Sequence, residues 1–454
     1  MTTLDRQILR IAVPAIVSNV TVPLLALVDV AIVGHLGSAA YIGAIAVGGM
    51  MFNVVYWLFA FLRMGTGGMT SQALGRRDLG EAVRILVRSV GVALVVAAFL
   101  IALQRPLRTA AIAVMHPTPQ VAEYAMTYFD ILIWGAPATL GLYSFTGWFI
   151  GMQNSRLPML VAVAQNVVNI AASAAFVFLL GMKVEGVALG TLVAQYAGLA
   201  MAAAAWMAVY SRLLPRFSRK GLFAWAEMKK FLAVNRDIFL RTLCLVSVML
   251  FFTAAGARQG DTALAVNTLL MQAYMVFSYV MDGFAYAGEA ISGKRYGAGN
   301  ARALHSTVVR LFRWGAAMTA VFTLLYIIGG DAFLRLLTDD TAVVGASAEY
   351  SFWAVLMPAA GVAAFVWDGV FIGCTMARGM LQSIFLAAAA FFIVYFPLAE
   401  PMGNHALWLA FTLYLAVRGA AQTVIWIRNG KTGVLRTGTD AGGSINCVGS
   451  KKKD

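Results

Sequence analysis

Long apolar segments recur along nearly the whole sequence, and they limit what this chain can fold into more than any other feature. Each segment is close to the roughly 20 residues that an α-helix needs to cross the hydrocarbon layer of a membrane. The chain is 61% hydrophobic and only 12% charged, whereas soluble domains carry about 25% charged residues. Twelve spans are predicted, at residues 8–33, 41–64, 82–104, 121–151, 158–182, 185–210, 228–256, 262–286, 302–329, 345–372, 379–401 and 405–428.

The positions of the basic residues predict the topology. With the N-terminus inside, 26 of the 34 Lys and Arg fall on the cytoplasmic side and three within spans. The five outside are Arg105, Arg108, Lys183, Arg258 and Arg335. This is the positive-inside pattern, so both termini are expected in the cytoplasm. The net charge of +14 therefore reflects topology, and no nucleic-acid partner is predicted.

The spacing of the cysteines and the length of the first span argue against a disulfide-bonded protein, a metalloprotein and a protein with a cleaved signal peptide. Three scattered cysteines, Cys244, Cys374 and Cys447, show neither CxxC nor metal-ligand spacing. No disulfide framework, metal site or cofactor is therefore predicted. The first apolar segment is too long for a cleavable signal peptide, so direct insertion is expected.

The two halves of the chain resemble each other at an offset of 222 residues. The segment GWFIG at 147–151 corresponds to GVFIG at 369–373, and TSQALGRRD at 70–78 corresponds to SGKRYGAGN at 292–300. Six predicted spans separate the copies, so both keep one orientation. The repeat predicts an all-α integral membrane fold of twelve transmembrane helices, in two six-helix lobes related by a pseudo-two-fold axis along the membrane normal. A central cavity between such lobes suits alternating access.

The repeat and the loop compositions predict four parts of the chain. An N-terminal lobe is expected at 1–210, and a cytoplasmic connecting loop with Pro215 at 211–227. The C-terminal lobe is expected at 228–430. The Gly/Ser/Thr-rich tail at 431–454 is expected to be disordered.

Five sequence segments resemble the MATE (multidrug and toxic compound extrusion) transporters, and within them the DinF-like branch. The resemblance covers roughly residues 1–430. Its carriers are VDVAIVGHLG (28–37), FLRMGTGGMTSQALGR (61–76), NRDIFLRTL (235–243), DGFAYAGEAISG (282–293) and WDGVFIG (367–373). The resemblance implies a monomeric secondary antiporter of the bacterial inner membrane that exports organic solutes, cationic or amphiphilic, in exchange for H⁺ or Na⁺.

Asp29 is the leading candidate for the coupling residue. It lies in the apolar run LLALVDVAIV of the first span, after Pro14 and Pro23. A charged Asp near a span centre costs about 2.5–3.5 kcal/mol on insertion scales, so burial favours the uncharged form and suits a proton-binding role. A carboxylate locked to a neighbouring donor for packing is the alternative interpretation.

Polar residues of other N-lobe spans are predicted to accompany Asp29. Counted from the span ends, four polar residues are expected at the same depth in the membrane as Asp29: Tyr128, Asn169, Ser173 and Thr191. Asn166 lies three residues before Asn169, on the same helical face. The resemblance matches these positions to the polar network around the first-helix acid of the family and adds Thr146. Many relatives have a second acid where this chain has Ser173, which favours protons over a cation site of two carboxylates. An Na⁺ site of Asp29 with Asn and Thr oxygens stays open.

This network is not duplicated in the second half, which carries charged residues instead. At the 222-residue offset, Asn169 corresponds to Phe391 and Thr191 to Leu413. Asp237 and Arg241, four residues apart, are predicted to form a salt bridge, while Asp282 and Asp368 are candidates for cavity acids that attract cationic solute. These four residues are the predicted substrate-cavity candidates: Asp237, Arg241, Asp282 and Asp368.

Two other functions fit the sequence less well than antiport. A membrane-embedded enzyme needs clustered His, Cys or acidic residues at one membrane surface, but His35, His116, His305 and His405 are dispersed. A flippase of lipid-linked precursors needs several cavity arginines for phosphate, and only Arg63 and Arg241 are candidates. A transporter without enzymatic activity, in contact with membrane lipids and small solutes, is therefore predicted.

Overall fold

The computed structural model describes residues 2–34, 38–218, 221–222, 224–338 and 340–431. His35, Arg219, Lys220 and Cys447, and the predicted disordered tail from 432 onwards, lie outside these residues. The described chain is helical throughout its length. Its α-helices are α1 Thr3–Gly34, α2 Ala39–Leu58, α3 Phe61–Gly75, α4 Leu79–Ala102, α5 Gln104–Met115, α6 Pro119–Leu132, α7 Ala136–Gly151, α8 Arg156–Ala174, α9 Val184–Tyr210, α10 Trp225–Ala257, α11 Asp261–Gly297, α12 Ala301–Leu337, α13 Thr341–Gly373, α14 Ala377–Met402 and α15 Asn404–Lys431.

These helices make twelve membrane crossings. Ten described segments are long and apolar enough to cross a membrane by length and composition, and α2 and α3 together form one of them. The other two crossings are α1 and the rod made of α6 and α7. At about 1.5 Å per residue, the 32 residues of α1 extend roughly 48 Å, which is ample for a crossing. The predicted twelve-span, all-α fold is confirmed.

Two predicted spans are broken helices, and one helix was not predicted. The span at 41–64 is interrupted between Leu58 and Phe61, and the span at 121–151 contains a 3₁₀ turn at Ile133–Gly135. Pro137 near the start of α7 explains the second break, because proline lacks an amide hydrogen and cannot continue the α6 hydrogen bonds. The 12-residue α5 buries none of its residues and is too short to have been found as a span.

The 222-residue repeat is visible in the helix ends. Adding the offset to the starts of α1, α2 and α4 gives the starts of α10, α11 and α12, and the ends of α3 and α7 give those of α11 and α13. Helix starts are also capped alike, since Asp78 accepts a hydrogen bond from the Glu81 amide and Asn300 accepts one from the Ala303 amide. The two lobes are therefore built by the same local rules.

Glycines set the closest helix contacts in both lobes at equivalent places. A Cβ on Gly147 of α7 would lie 2.1 Å from the Arg63 carbonyl oxygen, and one on Gly369 of α13 would lie 2.2 Å from the Ala285 carbonyl oxygen. Both pairs are related by the 222-residue offset. No side chain fits at either crossing, so these motif glycines are packing residues.

The lobes meet along α1, α3 and α11. The helix α1 packs against α8 of its own lobe and against α11 of the other, and α3 packs against α11. Both termini of the described helical bundle lie on one membrane face, which we call the terminal face, because the number of crossings is even. Near this face the Gln72 side chain of α3 donates hydrogen bonds to the Gly373 carbonyl and the Thr375 hydroxyl, 2.8 and 3.0 Å away. These contacts close the cavity between the lobes towards the terminal face.

Candidate functional site

Asp29 is buried in the half of α1 that lies away from the terminal face, with 8% of its surface exposed. Its Oδ1 atom is inaccessible to solvent and has no hydrogen-bond partner within the part of the chain that the structure describes. Two prolines, Pro14 and Pro23, lie earlier in the same helix, and each removes one backbone hydrogen bond. A carboxyl group locked to a neighbouring donor is therefore not what the structure shows.

Three of the predicted companions of Asp29 are brought together by α6, α8 and α9. Asn169 donates a hydrogen bond from Nδ2 to the Thr191 hydroxyl, 3.0 Å away, and that hydroxyl donates to the Val187 carbonyl. Tyr128 is buried and lies close to Thr191 and within electrostatic range of Asp29.

Unpaired oxygen atoms mark the same region. Ser173 is fully buried and Asn169 is 1% exposed. The Ser173 hydroxyl and the Asn169 Oδ1 atom have no hydrogen-bond partner among the described residues. Leaving a buried polar group unpaired costs about 1–3 kcal/mol of stability. These two oxygens are therefore available to accept a hydrogen bond from water or from a protonated group, or to bind a cation.

The other two predicted members of the network lie further apart from it. Asn166 donates a hydrogen bond to the Thr21 carbonyl of α1, at 3.4 Å, and so ties α8 to the first helix. Thr146 is half-buried on α7, and within the described structure no hydrogen bond joins it to the group. The geometry therefore gathers Asp29, Tyr128, Asn169, Ser173 and Thr191 more closely than it does these two.

The second lobe contains a buried cluster of acidic and basic side chains at the level where the first lobe has Thr146. Arg241 of α10 and Arg418 of α15 both contact the Oδ2 atom of Asp368 on α13, the second at 3.3 Å. Gln422 donates to the other carboxylate oxygen, at 2.8 Å. One carboxylate thus serves two guanidinium groups.

The predicted Asp237–Arg241 salt bridge is wrong. Asp237 is bound by the neighbouring Arg236 at 2.8 Å and approached by Arg378 at 3.8 Å, whereas Arg241 turns to Asp368. The four-residue spacing on α10 allows the predicted pair, but an acid on another helix offers Arg241 a buried partner. Asp237 also lies outside the lining of the central cavity.

The central cavity lies between the lobes and has a volume of about 140 Å³. Asp282 and Asp368 line it, as predicted for cavity acids, and so does Arg241. A second ion pair crosses between the lobes on its wall, because Arg63 of α3 lies 3.4 Å from Glu289 of α11. The Arg63 guanidinium also stacks on the Tyr286 ring, 4.2 Å from its centroid.

Sequence reasoning assigned no role to Arg418, one of the three basic residues counted within spans, although it lines this cavity. Gln422, which donates a hydrogen bond to Asp368, was not singled out either. Charge inside a span was the available signal for Arg418, and the spacing of four residues places Gln422 on the same helical face. Within the described part of the chain, no group of three or more His, Cys, Asp or Glu side chains is arranged to hold a metal ion.

The fold and this polar interior define the class of protein. The MatE family model matches residues 14–175 and again residues 238–399, one match in each lobe. The chain therefore belongs to the MATE family of transporters and is a multi-pass membrane protein.

Individual relatives place it within the family. The chain is 36% identical to DNA damage-inducible protein F of Escherichia coli over 95% of its own length and 94% of that protein, which assigns it to the DinF-like branch. It is 24% identical to a probable multidrug resistance protein NorM of Bradyrhizobium diazoefficiens, over 90% of each chain. A crystal structure of MATE in the bent conformation superposes with a TM-score of 0.81 at 19% identity, covering 96% of this chain and 97% of that one.

Proposed function

We propose that the protein is a secondary antiporter that exports organic solutes, cationic or amphiphilic, while protons enter. The observation that carries the proposal is the buried Asp29 carboxyl, whose Oδ1 atom has no partner in the described structure. Ionised carboxylates within a membrane are costly and mark proton or ion pathways. Because the protonated and the ionised carboxyl group differ in the cost of burial, alternation between them gives the protein two states of different stability.

The helix α1 is placed to transmit that change to the lobes. Upstream of Asp29, the Thr21 carbonyl accepts the hydrogen bond from Asn166 of the first lobe, and Asn19 donates one to the Tyr279 carbonyl of the second lobe at 3.2 Å. Pro23, which removes one backbone hydrogen bond from the helix, lies between these contacts and Asp29. A change in the charge of Asp29 thus acts on a helix that both lobes contact.

Protons are favoured as the coupling ion because Asp29 is the one acid in its network. Sodium is the alternative, since a hard cation takes oxygen ligands and the free Asn169 and Ser173 oxygens lie in the same network. Both ions predict loss of coupling when the carboxyl group is removed. They differ in whether a pH gradient or a Na⁺ gradient drives transport.

A lipid-linked precursor flippase is the second candidate, and the cavity charges disfavour it. Three arginines line the cavity, Arg63, Arg241 and Arg418, one more than was anticipated. Three acids, Asp282, Glu289 and Asp368, line it as well. A site for a multiply charged phosphate is expected to be predominantly positive, whereas these charges balance.

The remaining expectations belong to the same proposal. The excess of basic residues on one side favours a cytoplasmic location for both termini in a bacterial inner membrane. The protein is proposed to act as a monomer without a cofactor, in contact with lipids and solutes. The helix correspondence supports two lobes at 1–210 and 228–430, joined by 211–227.

Transport in proteoliposomes tests the proposal. Purified protein is reconstituted, and movement of a cationic dye is followed under an imposed pH gradient or an imposed Na⁺ gradient. The wild type is expected to move dye under the pH gradient, and Asp29→Asn is expected to abolish that response. The matched control is Asp130→Asn, which removes a half-exposed acid paired with Arg108 and is expected to retain transport.

Gradient-independent dye movement, or full pH-driven movement by Asp29→Asn, contradicts antiport through Asp29. Movement driven by Na⁺ alone contradicts proton coupling. Movement of a lipid-linked phosphate substrate, with no movement of dye, supports the flippase instead.

A further inference from the structure

Asp282 presents an unpaired carboxylate to the central cavity. It lies on α11 and lines the cavity together with Tyr286, one helical turn further on. Among the residues that the structure describes, neither a hydrogen bond nor a salt bridge reaches its side chain. A carboxylate in this position is available to a positively charged group of a solute.

At the Arg241–Arg418 pair, positive charges outnumber negative charges. These two guanidinium groups share the single carboxylate of Asp368, whose second oxygen accepts from Gln422. Arg418 is 3% exposed, and its Nε atom has no hydrogen-bond acceptor in the described structure. A buried donor without an acceptor is unfavourable, so an acceptor group of a bound solute would satisfy it.

The third cavity arginine, Arg63, forms an ion pair with Glu289, contacts the Tyr286 ring and also lies within electrostatic range of Asp282. By formal charge the cavity is neutral as a whole. Asp282 has no direct partner among the described residues, and Arg241 and Arg418 share one carboxylate. Apolar side chains also line the cavity, among them Leu245, Met249, Met275 and Phe365.

We propose that this cavity binds amphoteric amphiphiles, whose ammonium group contacts Asp282 and whose carboxylate contacts the Arg241–Arg418 pair. The inference rests on the proposed export function and specifies its substrate class. Guanidinium groups suit carboxylates because their donors match both oxygens. Methionine side chains repack around apolar bodies of different shape, so the charged ends set the specificity.

A series of three fluorescent probes with one aromatic body tests the proposal. At about pH 6, which keeps an α-amino group protonated and an α-carboxyl group ionised, dansyl-lysine with the dye on its side-chain nitrogen is a zwitterion. Its methyl ester is then a cation, and its α-N-acetyl derivative is an anion. Binding to the detergent-purified full chain is measured by fluorescence at fixed pH. The zwitterion is expected to bind about tenfold more tightly than either singly charged probe, since each charged contact contributes at least about 1.4 kcal/mol.

Two substitutions separate the two ends of the site. Arg418→Gln leaves Arg241 and Asp368 as a balanced pair, and is expected to remove the advantage of the zwitterion over the ester only. Asp282→Asn is expected to remove the advantage of the zwitterion over the N-acetyl probe only, and Asp282→Glu to restore it.

Equal affinity of wild-type protein for the zwitterion and the ester overturns the inference, and this comparison needs no variant to fold. Equal losses for all three probes in both variants also overturn it. Binding requires no ion gradient, so the two proposals fail separately. A preference for the zwitterion without gradient-driven export contradicts antiport alone, while gradient-driven export of all three probes at equal affinity contradicts the amphoteric site alone.

Discussion

At the scale of single residues, the buried acids Asp29 and Asp368 differ in their partners. The first lobe contains Asp29, whose Oδ1 atom has no hydrogen-bond partner among the described residues. The second holds Asp368 between two arginines and a glutamine. Both oxygens of the Asp368 carboxylate therefore have partners on other helices, whereas the Oδ1 atom of Asp29 has none among the described residues.

Neutralising Asp368 is expected to destabilise the protein strongly. Asp368→Asn leaves two buried guanidinium groups without a counter-ion, and breaking such a pair costs about 3–5 kcal/mol. Thermal unfolding in detergent measures the effect. Asp282→Asn is the matched control, since Asp282 has no partner in the described structure, and it is expected to leave the melting temperature nearly unchanged. Equal melting temperatures for the two variants would show that Arg241 and Arg418 do not depend on Asp368.

Residue types alone indicated which positions are candidates for function, but they did not indicate which side chains pair with one another. The cost of an ionised side chain in a span identified Asp29, Asp282 and Asp368. The partner of Arg241 was mispredicted because spacing along α10 reports only neighbours on that helix. A long side chain also reaches other helices, and the choice between Asp237 and Asp368 depends on packing that a single sequence does not specify.

At the scale of helices, close packing of glycine holds the lobes together near the terminal face. A Cβ on Gly68 of α3 would lie 2.2 Å from the Ile372 carbonyl oxygen of α13. This backbone atom cannot rotate away as a side chain does. The α3 crossing with the second lobe therefore depends on the absence of a side chain.

Gly68→Ala is expected to lower the melting temperature and to weaken the closed arrangement of this face. Overpacking of this kind costs about 1–3 kcal/mol. Gly49→Ala on α2 is the matched control, because nothing lies within 4 Å of its added Cβ. In a helix interior that change is expected to stabilise by about 0.5–1 kcal/mol. A Gly68→Ala protein as stable as Gly49→Ala would refute the tight crossing.

Helix existence was predictable from sequence, whereas helix breaks were less so. Twelve apolar runs of membrane-spanning length predicted the twelve crossings. The break between α2 and α3 contains no proline or glycine in the sequence LFA at 58–60, so no local signal marked it. The surface helix α5 was missed because its 12 residues fall short of a span.

At the scale of the whole molecule, alternating access requires the contacts near the terminal face to separate. The side chains of Gln72 and Thr375 come from different lobes and are 3.0 Å apart. By contrast, Asn267 and Asn404 hydrogen bond at 2.8 Å within the second lobe. The first pair is expected to part during transport and the second to stay together.

Cross-linking tests this difference in a background without Cys244, Cys374 and Cys447. Cysteines at positions 72 and 375, joined by a short bifunctional maleimide, are expected to stop transport. The same reagent on cysteines at 267 and 404 is expected to leave transport largely intact. Continued transport by the protein linked between the lobes would contradict rocking of the lobes about the cavity.

The sequence repeat predicted the shared helical scaffold of the two lobes, and the positions that depart from the repeat predicted the candidate sites. Equivalent helix ends, caps and glycine crossings follow the 222-residue offset. The functional residues do not, since Asn169 and Thr191 correspond to Phe391 and Leu413. The symmetry of the backbone was therefore predictable from the sequence. The difference between the polar groups of the two lobes became clear only from the side-chain contacts in the structure.

Proton release on solute binding tests the central claim, that Asp29 couples ion and solute, most directly. A cationic dye is added to purified protein in weakly buffered detergent solution, and the change in pH is recorded together with the amount of dye bound. The wild type is expected to release about one proton for each dye bound at saturation, because antiport requires solute and proton to compete. Asp29→Asn is expected to bind dye without releasing a proton. Equal proton release from wild type and Asp29→Asn would contradict the assignment of coupling to Asp29.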